Sequence, residues 1–296
     1  MIRILLKRNI KLFFKDKGMF FASLITPAIL LLLYVTFLGG IYLDNFKKFL
    51  PETVMISDGL LNGLVGSQLM SSILAVSCVT VAFCSNFLMV QDKANGTIND
   101  FRITPVKASV LSISYYLSTL ISTLLICFVA AGISLIYVAC VGWYLSFTDV
   151  LLLFLDILLL VLFGTALSSL INFFLTTQGQ ISAVGTMISA SYGFFCGAYM
   201  PISAFGEGLQ KLLAFLPGTY GTSLMRNHAM QGAFSEMQKQ GVSAEVVSAV
   251  RDSMDCNLYF FGNAVSIPTM YLILFGAVLL LLGIYVVLNV YKKKKA

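Results

Sequence analysis

Charge is scarce in this sequence. Of 296 residues only 11% are charged, while 58% are hydrophobic. Soluble domains carry roughly 25% charged residues, so an ordinary soluble domain is excluded. Histidine is scarcer still. His228 stands alone, and one histidine cannot build a histidine-based metal site within a single subunit. The six cysteines form no C-x-x-C pair. Cys78, Cys84, Cys127 and Cys196 fall in apolar runs, where cysteine serves as a small hydrophobe. Cys140 and Cys256 lie near or beyond the ends of such runs, and a disulfide between them is the minor reading.

Motifs that carry chemistry are also missing. Without a G-x-x-x-x-G-K-[ST] loop the chain cannot cradle ATP in a P-loop. There is no H-E-x-x-H, and Gly221-Thr222-Ser223 is not a G-x-S-x-G elbow. His228 has no orienting partner that the sequence reveals, so an intramembrane enzyme fits poorly.

What is present is a series of apolar blocks longer than the 18 or so residues that suggest a membrane span. The predicted class is an all-α integral membrane protein with six transmembrane helices, at 19–43, 66–90, 108–141, 150–176, 180–200 and 267–291. At about 1.5 Å per residue, each can cross a core of about 30 Å. The basic N-terminus is not expected to be a cleavable signal, because the following run is too long and lacks a small-residue cleavage site.

Lysine and arginine set the expected orientation. They gather in the N-terminal stretch (Arg3, Lys7, Arg8, Lys11, Lys15, Lys17), in the loop after the second span (Lys93, Arg102, Lys107) and at the C-terminus (Lys292 to Lys295). Six spans put all three on one side, the cytoplasm, with both termini there. The opposite side is richer in acid, with Asp44, Glu52, Asp58, Asp149 and Glu207 among others. The net charge of +6 is accounted for by attraction of this base to anionic inner-leaflet lipid, and no nucleic-acid partner is implied.

Residues 1–18 read as an amphipathic helix in the inner headgroup plane. Arg3, Lys7, Lys11 and Lys15 repeat on one face, with Ile2, Leu5, Leu6, Leu12 and Phe13 opposite. Such a helix can be a topology anchor, an elbow that touches a cytoplasmic partner, or both. Thr26-Pro27 predicts a kink in the first span. The small and hydroxyl residues of the second span, Ser71 and Ser72 among them, suit close helix packing or a mildly polar wall of a substrate route. Asp156, inside the fourth span, is the one acid found in the spans; it reads as a structural hydrogen-bonding group, since a relay needs a chain of such groups. Residues 201–266 form the largest external loop. Within it a short helix capped by Ser203, with Leu209, Leu212, Leu213 and Leu216 on one side and Pro217 as its stop, precedes a solvent-facing helix capped by Ser243.

Two motifs then fall into matching slots. After the second span come Asp92-Lys93, Gly96-Thr97, Phe101 and Thr104-Pro105. In the external loop come Pro201-Ile202-Ser203, the Leu209 to Leu213 turn, Pro217-Gly218-Thr219-Tyr220 and Arg226. This layout resembles the membrane subunits of ABC-2-type exporters over essentially the whole chain. One departure is Ala94, where many relatives carry a second acid. The resemblance divides the chain into the interfacial helix 1–18 and a six-span domain 19–296. It implies a half-size permease of the bacterial cell membrane that pairs with a second permease, identical or not, and binds two copies of a separate ATPase. ATP and magnesium would sit on that ATPase, with no cofactor on this chain. Substrates of such relatives include drugs, lipid-linked glycans, peptide toxins and haemolysins; the compact external loop looks closest to the drug and toxin exporters. A secondary transporter or channel is the alternative.

On this reading residues 92–104 form a cytoplasmic coupling helix, with Asp92, Lys93, Gly96, Thr97, Ile98, Phe101, Arg102, Thr104 and Pro105 as the contact set. Ile98, Phe101 and Ile103 would insert into a groove of the ATPase, Gly96 would break the helix or permit close approach, and Pro105 would end it. A lipophilic substrate would pass near the first, second and fifth spans, with Phe20, Phe21, Tyr34, Ser71, Ser72, Phe194, Phe195 and Tyr199 as candidate lining.

Overall fold

A backbone that enters hydrocarbon must satisfy its own polar groups, and a helix does so within one segment. The computed structural model, which describes residues 1–49 and 56–295, is accordingly a bundle of helices. Glu52, counted above among the outer acids, lies outside the described residues. The chain begins with α1 (Ile2–Lys15), bends at Asp16 and continues as α2 (Lys17–Leu33), a π-helical turn (Tyr34–Leu38) and α3 (Gly39–Phe49). The Asp16 carboxylate starts α2 by accepting from the Met19 amide at 3.0 Å. Next come α4 (Asp58–Ala94), α5 (Thr97–Arg102), α6 (Ala108–Val141), α7 (Phe147–Phe174) and α8 (Gln178–Phe195). A 3-10 turn (Ile202–Ala204) and α9 (Glu207–Leu213) follow, then α10 (Pro217–Lys239), α11 (Ala244–Ser253) and α12 (Ile267–Lys295).

The starts of these helices are written locally. Ser57 caps α4 and Ser243 caps α11. Ser146-Asp149 and Thr177-Gln180 make reciprocal capping boxes at α7 and α8. Four helices, α4, α6, α7 and α12, are long and apolar enough to cross a membrane, and a fifth span is obtained if α1 and α2, bent by 71°, are one broken span. The expected first span is the piece divided among α2, the π turn and α3. The expected fifth span, α8, has 18 residues diluted by glutamine, serine and glycine. Pro27 lies within α2, and the helix runs on past it to Leu33.

The shaft of the bundle is α4. It packs against α2, α6, α7, α8 and α10, and its most apolar stretch is buried throughout. Ser71 and Ser72 are sealed in the interior, and Ser71 bonds to its own helix at the Gln68 carbonyl, as close packing asks. A helix surrounded on all sides needs small residues for close approach rather than an apolar stripe.

Three expectations are corrected. The external loop is not a surface excursion throughout, because α10 runs into the bundle against α4, α7 and α12, with most of its residues buried. Pro217 opens α10 at a position where its missing N–H is harmless, rather than serving only as a stop. Ser203 lies in the 3-10 turn and caps nothing; Gly206 precedes α9. Among the described residues the fold is all-α except for a small hairpin, Leu258–Phe260 paired antiparallel with Asn263–Val265. Cys140 and Cys256 are both free thiols, the former exposed and the latter buried.

Candidate functional site

Two places gather the predicted residues: a junction at the end of α4, and a groove along it. At the junction α4 does not merge into the short helix. Gly96 breaks the chain in the left-handed conformation (φ 79°), open to residues without a Cβ at little cost. The coupling helix expected over 92–104 is therefore α5 alone, Thr97–Arg102. Asp92 and Lys93 belong to the last turn of α4 and direct their polar groups inward. The Asp92 carboxylate, almost fully buried, takes a bidentate pair from Arg8 at 2.8 and 3.0 Å and the hydroxyl hydrogen bond of Tyr115. Lys93 donates to the carbonyls of Asn172, Phe173 and Leu175 at 2.8, 2.9 and 3.1 Å, closing the C-terminal end of α7.

Arg8 is the bridge. Its hydrogen bonds to Asp92 hold the guanidinium above its usual pKa, against the opposing pull of burial. The same guanidinium lies over the Phe101 ring, 5.1 Å from its centroid. One side chain of α1 thus holds both the foot of α4 and the face of α5. Ile98 and Phe101 are half-buried, Thr104 bonds back to the Phe101 carbonyl, and Ile103 is 87% exposed with Pro105 beside it.

The groove has a volume of about 1520 Å³. One wall is α2 with the π turn and α3, contributing Ile25, Ile29, Leu33 and Phe37. The other is α8, contributing Ser182, Thr186 and Ser189, and the floor is α4 at Cys84, Phe87 and Gln91. These are the elements expected to border a substrate route, but only part of the expected lining is there. Phe194 and Tyr199 line the groove. Tyr199 can lie across α8 because position 193 is glycine; a Cβ there would overlap the tyrosine ring. Phe195 faces a neighbouring hollow of about 370 Å³ with Phe205 and Leu209. Phe20 packs between Phe14 and Phe21, and Phe21 points outward. Tyr34, Ser71 and Ser72 are buried behind the wall.

The interior also holds two polar pairings that sequence reading missed. Asp156 is not isolated: its two oxygens meet His228 Nδ1 at 2.6 Å and the Tyr271 hydroxyl at 2.5 Å, tying α7 to α10 and α12. The hydrogen bonding expected of it is present, with partners on two other helices. Arg226 pairs with Asp255 at 3.1 Å and donates to the Gly197 carbonyl. Asp255 also accepts from the Ile202 and Ser203 amides, at 2.5 and 3.2 Å. Burial pushes the Asp255 carboxyl above the ordinary carboxylate range, although Arg226 and these amides pull the other way. The Pro-Ile-Ser and arginine elements noted in the sequence are thus two halves of one buried knot.

Comparison with known proteins bears on the whole arrangement. No curated protein matches the chain. The model of the ABC-2 type transporter family matches residues 1–229, from α1 into α10. That stretch is most of the chain and includes the junction and the groove apart from Ser253 and Met254, so the protein belongs to the ABC-2 type transporter family and is a multi-pass membrane permease.

Proposed function

We propose that this chain is the membrane half of an ATP-driven exporter, working as a dimer with two copies of a separate ATPase that carries the ATP and magnesium. The observation that supports it most is the junction: Ile103, at the end of α5, is exposed, and Arg8, lying over Phe101, joins α5 to the foot of α4, the helix that floors the groove. A load applied to α5 therefore has a connected path to the groove. On this reading α2 with α3, and α8, are the two remaining spans of a six-span permease, both termini are cytoplasmic in a bacterial cell membrane, and α9 to α11 lie toward the outside. The groove moves a lipophilic or amphipathic molecule of the drug or toxin type. Its apolar walls and scattered hydroxyls suit such a molecule better than a fully polar one.

The test is reconstitution of the chain with its ATPase. Phe101→Ala or Gly96→Trp is expected to leave the permease folded and the ATPase bound, while ATP hydrolysis no longer drives transport. Coupled transport at the normal rate in both variants would refute the reading. The second reading, a proton-driven transporter, draws on the Asp156–His228 pair; it requires transport by the chain alone under a proton gradient, with no ATPase present.

A further inference from the structure

The hairpin before α12 has an unusual turn. Its two central residues are Phe261 and Gly262, with Phe260 paired to Asn263. Both have positive φ, 48° and 85°, as a two-residue hairpin turn of this twist requires. Glycine takes that conformation freely, and asparagine or aspartate is the usual residue before it. A phenylalanine there is strained, because its Cβ crowds the backbone. Core packing does not offset the strain, since the side chain is 60% exposed. The ring packs edge-on against Phe260 at 4.9 Å and Phe215 at 6.0 Å, and Phe215 meets Phe260 at 5.3 Å. Phe215 is 64% exposed, and the exposed Leu209 and Leu212 of α9 precede it at three-residue steps.

We propose that Phe215, Phe260 and Phe261 form an anchor that inserts into membrane lipid at the water boundary. The occupant follows from where the hairpin stands. One residue, Ser266, separates its second strand from α12, a helix long and apolar enough to cross a membrane. Three strand residues span about 10 Å, so the tip stays at or close to the headgroup layer. A second turn lies at the same end of the bundle. Helices α7 and α12 run parallel, because Asp156 meets Tyr271 and, further along both, Phe173 meets Tyr285. Phe147 opens α7 nine residues before Asp156, and Ile267 opens α12 four residues before Tyr271. The start of α7 therefore stands about 7 Å beyond the start of α12. There Phe147 is 84% and Trp143 47% exposed. Exposed rings from two separate turns thus gather at one end, as in the aromatic belt at a membrane surface. Charge agrees, since Cys256 to Tyr291 includes no acidic or basic residue. A protein partner fits less well: the three rings with Leu209 and Leu212 expose about 500 Å², below the roughly 800 Å² a side of a stable interface. The hairpin lies beyond the residues matched by the family model. On the orientation proposed above, the lipid is that of the outer leaflet. The inference rests on the chain crossing a membrane and not on the ATPase.

The test is tryptophan fluorescence quenching in the full chain, reconstituted in phosphatidylcholine vesicles. Trp143 is the one tryptophan. In a Trp143→Phe background, Phe261→Trp and Phe215→Trp place a probe on each side of the ring cluster. Ser248→Trp places a control on the exposed face of α11. Phosphatidylcholine brominated on the acyl chain next to the glycerol should remove most of the emission at positions 261 and 215. Acrylamide added to the water should remove little there, and the emission should be shifted to the blue. The control should show the reverse order. Strong quenching by acrylamide at 261 and 215, with none by the lipid, would overturn the proposal in favour of a solvated patch. Quenching by neither would overturn it in favour of a second protein surface covering the rings. Strongest quenching by bromine near the chain end would put the rings deep in the hydrocarbon and overturn the boundary position. Should Phe261→Trp fail to fold, Phe215→Trp, at a more exposed site on the other element, decides alone.

Discussion

Removing Arg8 should cost more than removing its partner. In the wild type the Asp92 side chain is 8% exposed and Arg8 28% exposed. Arg8→Ala leaves a buried carboxylate with Tyr115 as its remaining named donor. Breaking a buried pair from one side costs about 3–5 kcal/mol, and the partial exposure of Arg8 screens some of the attraction. The expected loss is about 2–3 kcal/mol. Asp92→Ala leaves instead a long side chain that can swing its head to water along an apolar stem and still cover Phe101. Its cost should be about 1 kcal/mol, close to an ordinary hydrogen bond. The double variant should lose no more than Arg8→Ala does, giving a coupling energy of at least about 1 kcal/mol. Equilibrium unfolding of the full chain in mixed maltoside and dodecyl sulfate micelles measures all three. Equal costs for the two single variants, or strict additivity in the double, would refute the assignment of Arg8 as the bridge.

Three further expectations follow from the same geometry. His228→Ala strands Asp156, which is 1% exposed, and should cost about 3 kcal/mol in the same unfolding assay; adding Asp156→Leu should recover most of that, because an apolar pair replaces an unpaired acid. The Cys256 thiol is pushed up to about 12 from an ordinary 9.0 by burial, which disfavours the charged thiolate. At pH 9 it should therefore carry about five hundredfold less thiolate than a cysteine at the ordinary value, seen, in a variant that keeps Cys256 as its one cysteine, as failure of maleimide labelling in the folded protein and rapid labelling after denaturation. Gly193→Ala should displace the Tyr199 ring and cost about 1–3 kcal/mol in thermal unfolding; in a Tyr199→Ala background the cost should vanish, and a cost that persists there would show that the glycine serves something else.

The parts legible in the sequence are those set by neighbours in the chain. Ser243 precedes a helical pattern and caps it. Gly96 stands where the backbone must turn left-handed. The basic repeat of residues 3 to 15 marks a helix that does form, although Leu5, Asn9 and Phe13 dock it against the bundle rather than leaving it free in the headgroup plane. What could not be read depends on pairs far apart. Asp156 and His228 are 72 residues apart, Arg8 and Asp92 are 84 apart, and neither pair lies on one periodic face. The α10 stretch was the hardest. Its arginine, histidine, asparagine and threonines read as a loop, yet they are buried because each finds a partner: Thr219 the Leu213 carbonyl, Asn227 the Cys256 carbonyl, His228 Asp156. Hydropathy records the cost of burying a polar group and is blind to the bond that offsets it.

The same limit hides which face of α4 meets which neighbour. An amphipathic helix announces which side faces inward; α4 announces nothing, since it is surrounded. Its 37 residues, about 55 Å long at helical rise, carry Ser71 and Ser72 in the interior, Cys84, Phe87 and Gln91 on the groove floor, and Asp92 at the Arg8 junction. The interior serines, the groove floor and the Arg8 junction are therefore stations on one buried rod. Its tight packing against α6, α7 and α10 leaves it little freedom to bend. The α2–α3 wall has more: it starts at the Asp16 bend and is divided by the π turn, and much of its apolar surface is exposed. Because α1 grips both α5 and the foot of α4 through Arg8, a displacement of α5 meets a stiff shaft on one side and a jointed wall on the other. The wall should yield first, opening or closing the groove at Ile25, Ile29 and Leu33 while the α4 floor stays in place. Spin labels on Ile29 and Thr186, across the groove, should then change separation when ATP binds to the reconstituted complex, whereas labels on Ile29 moved to the floor position Cys84 and paired with Leu153 should not.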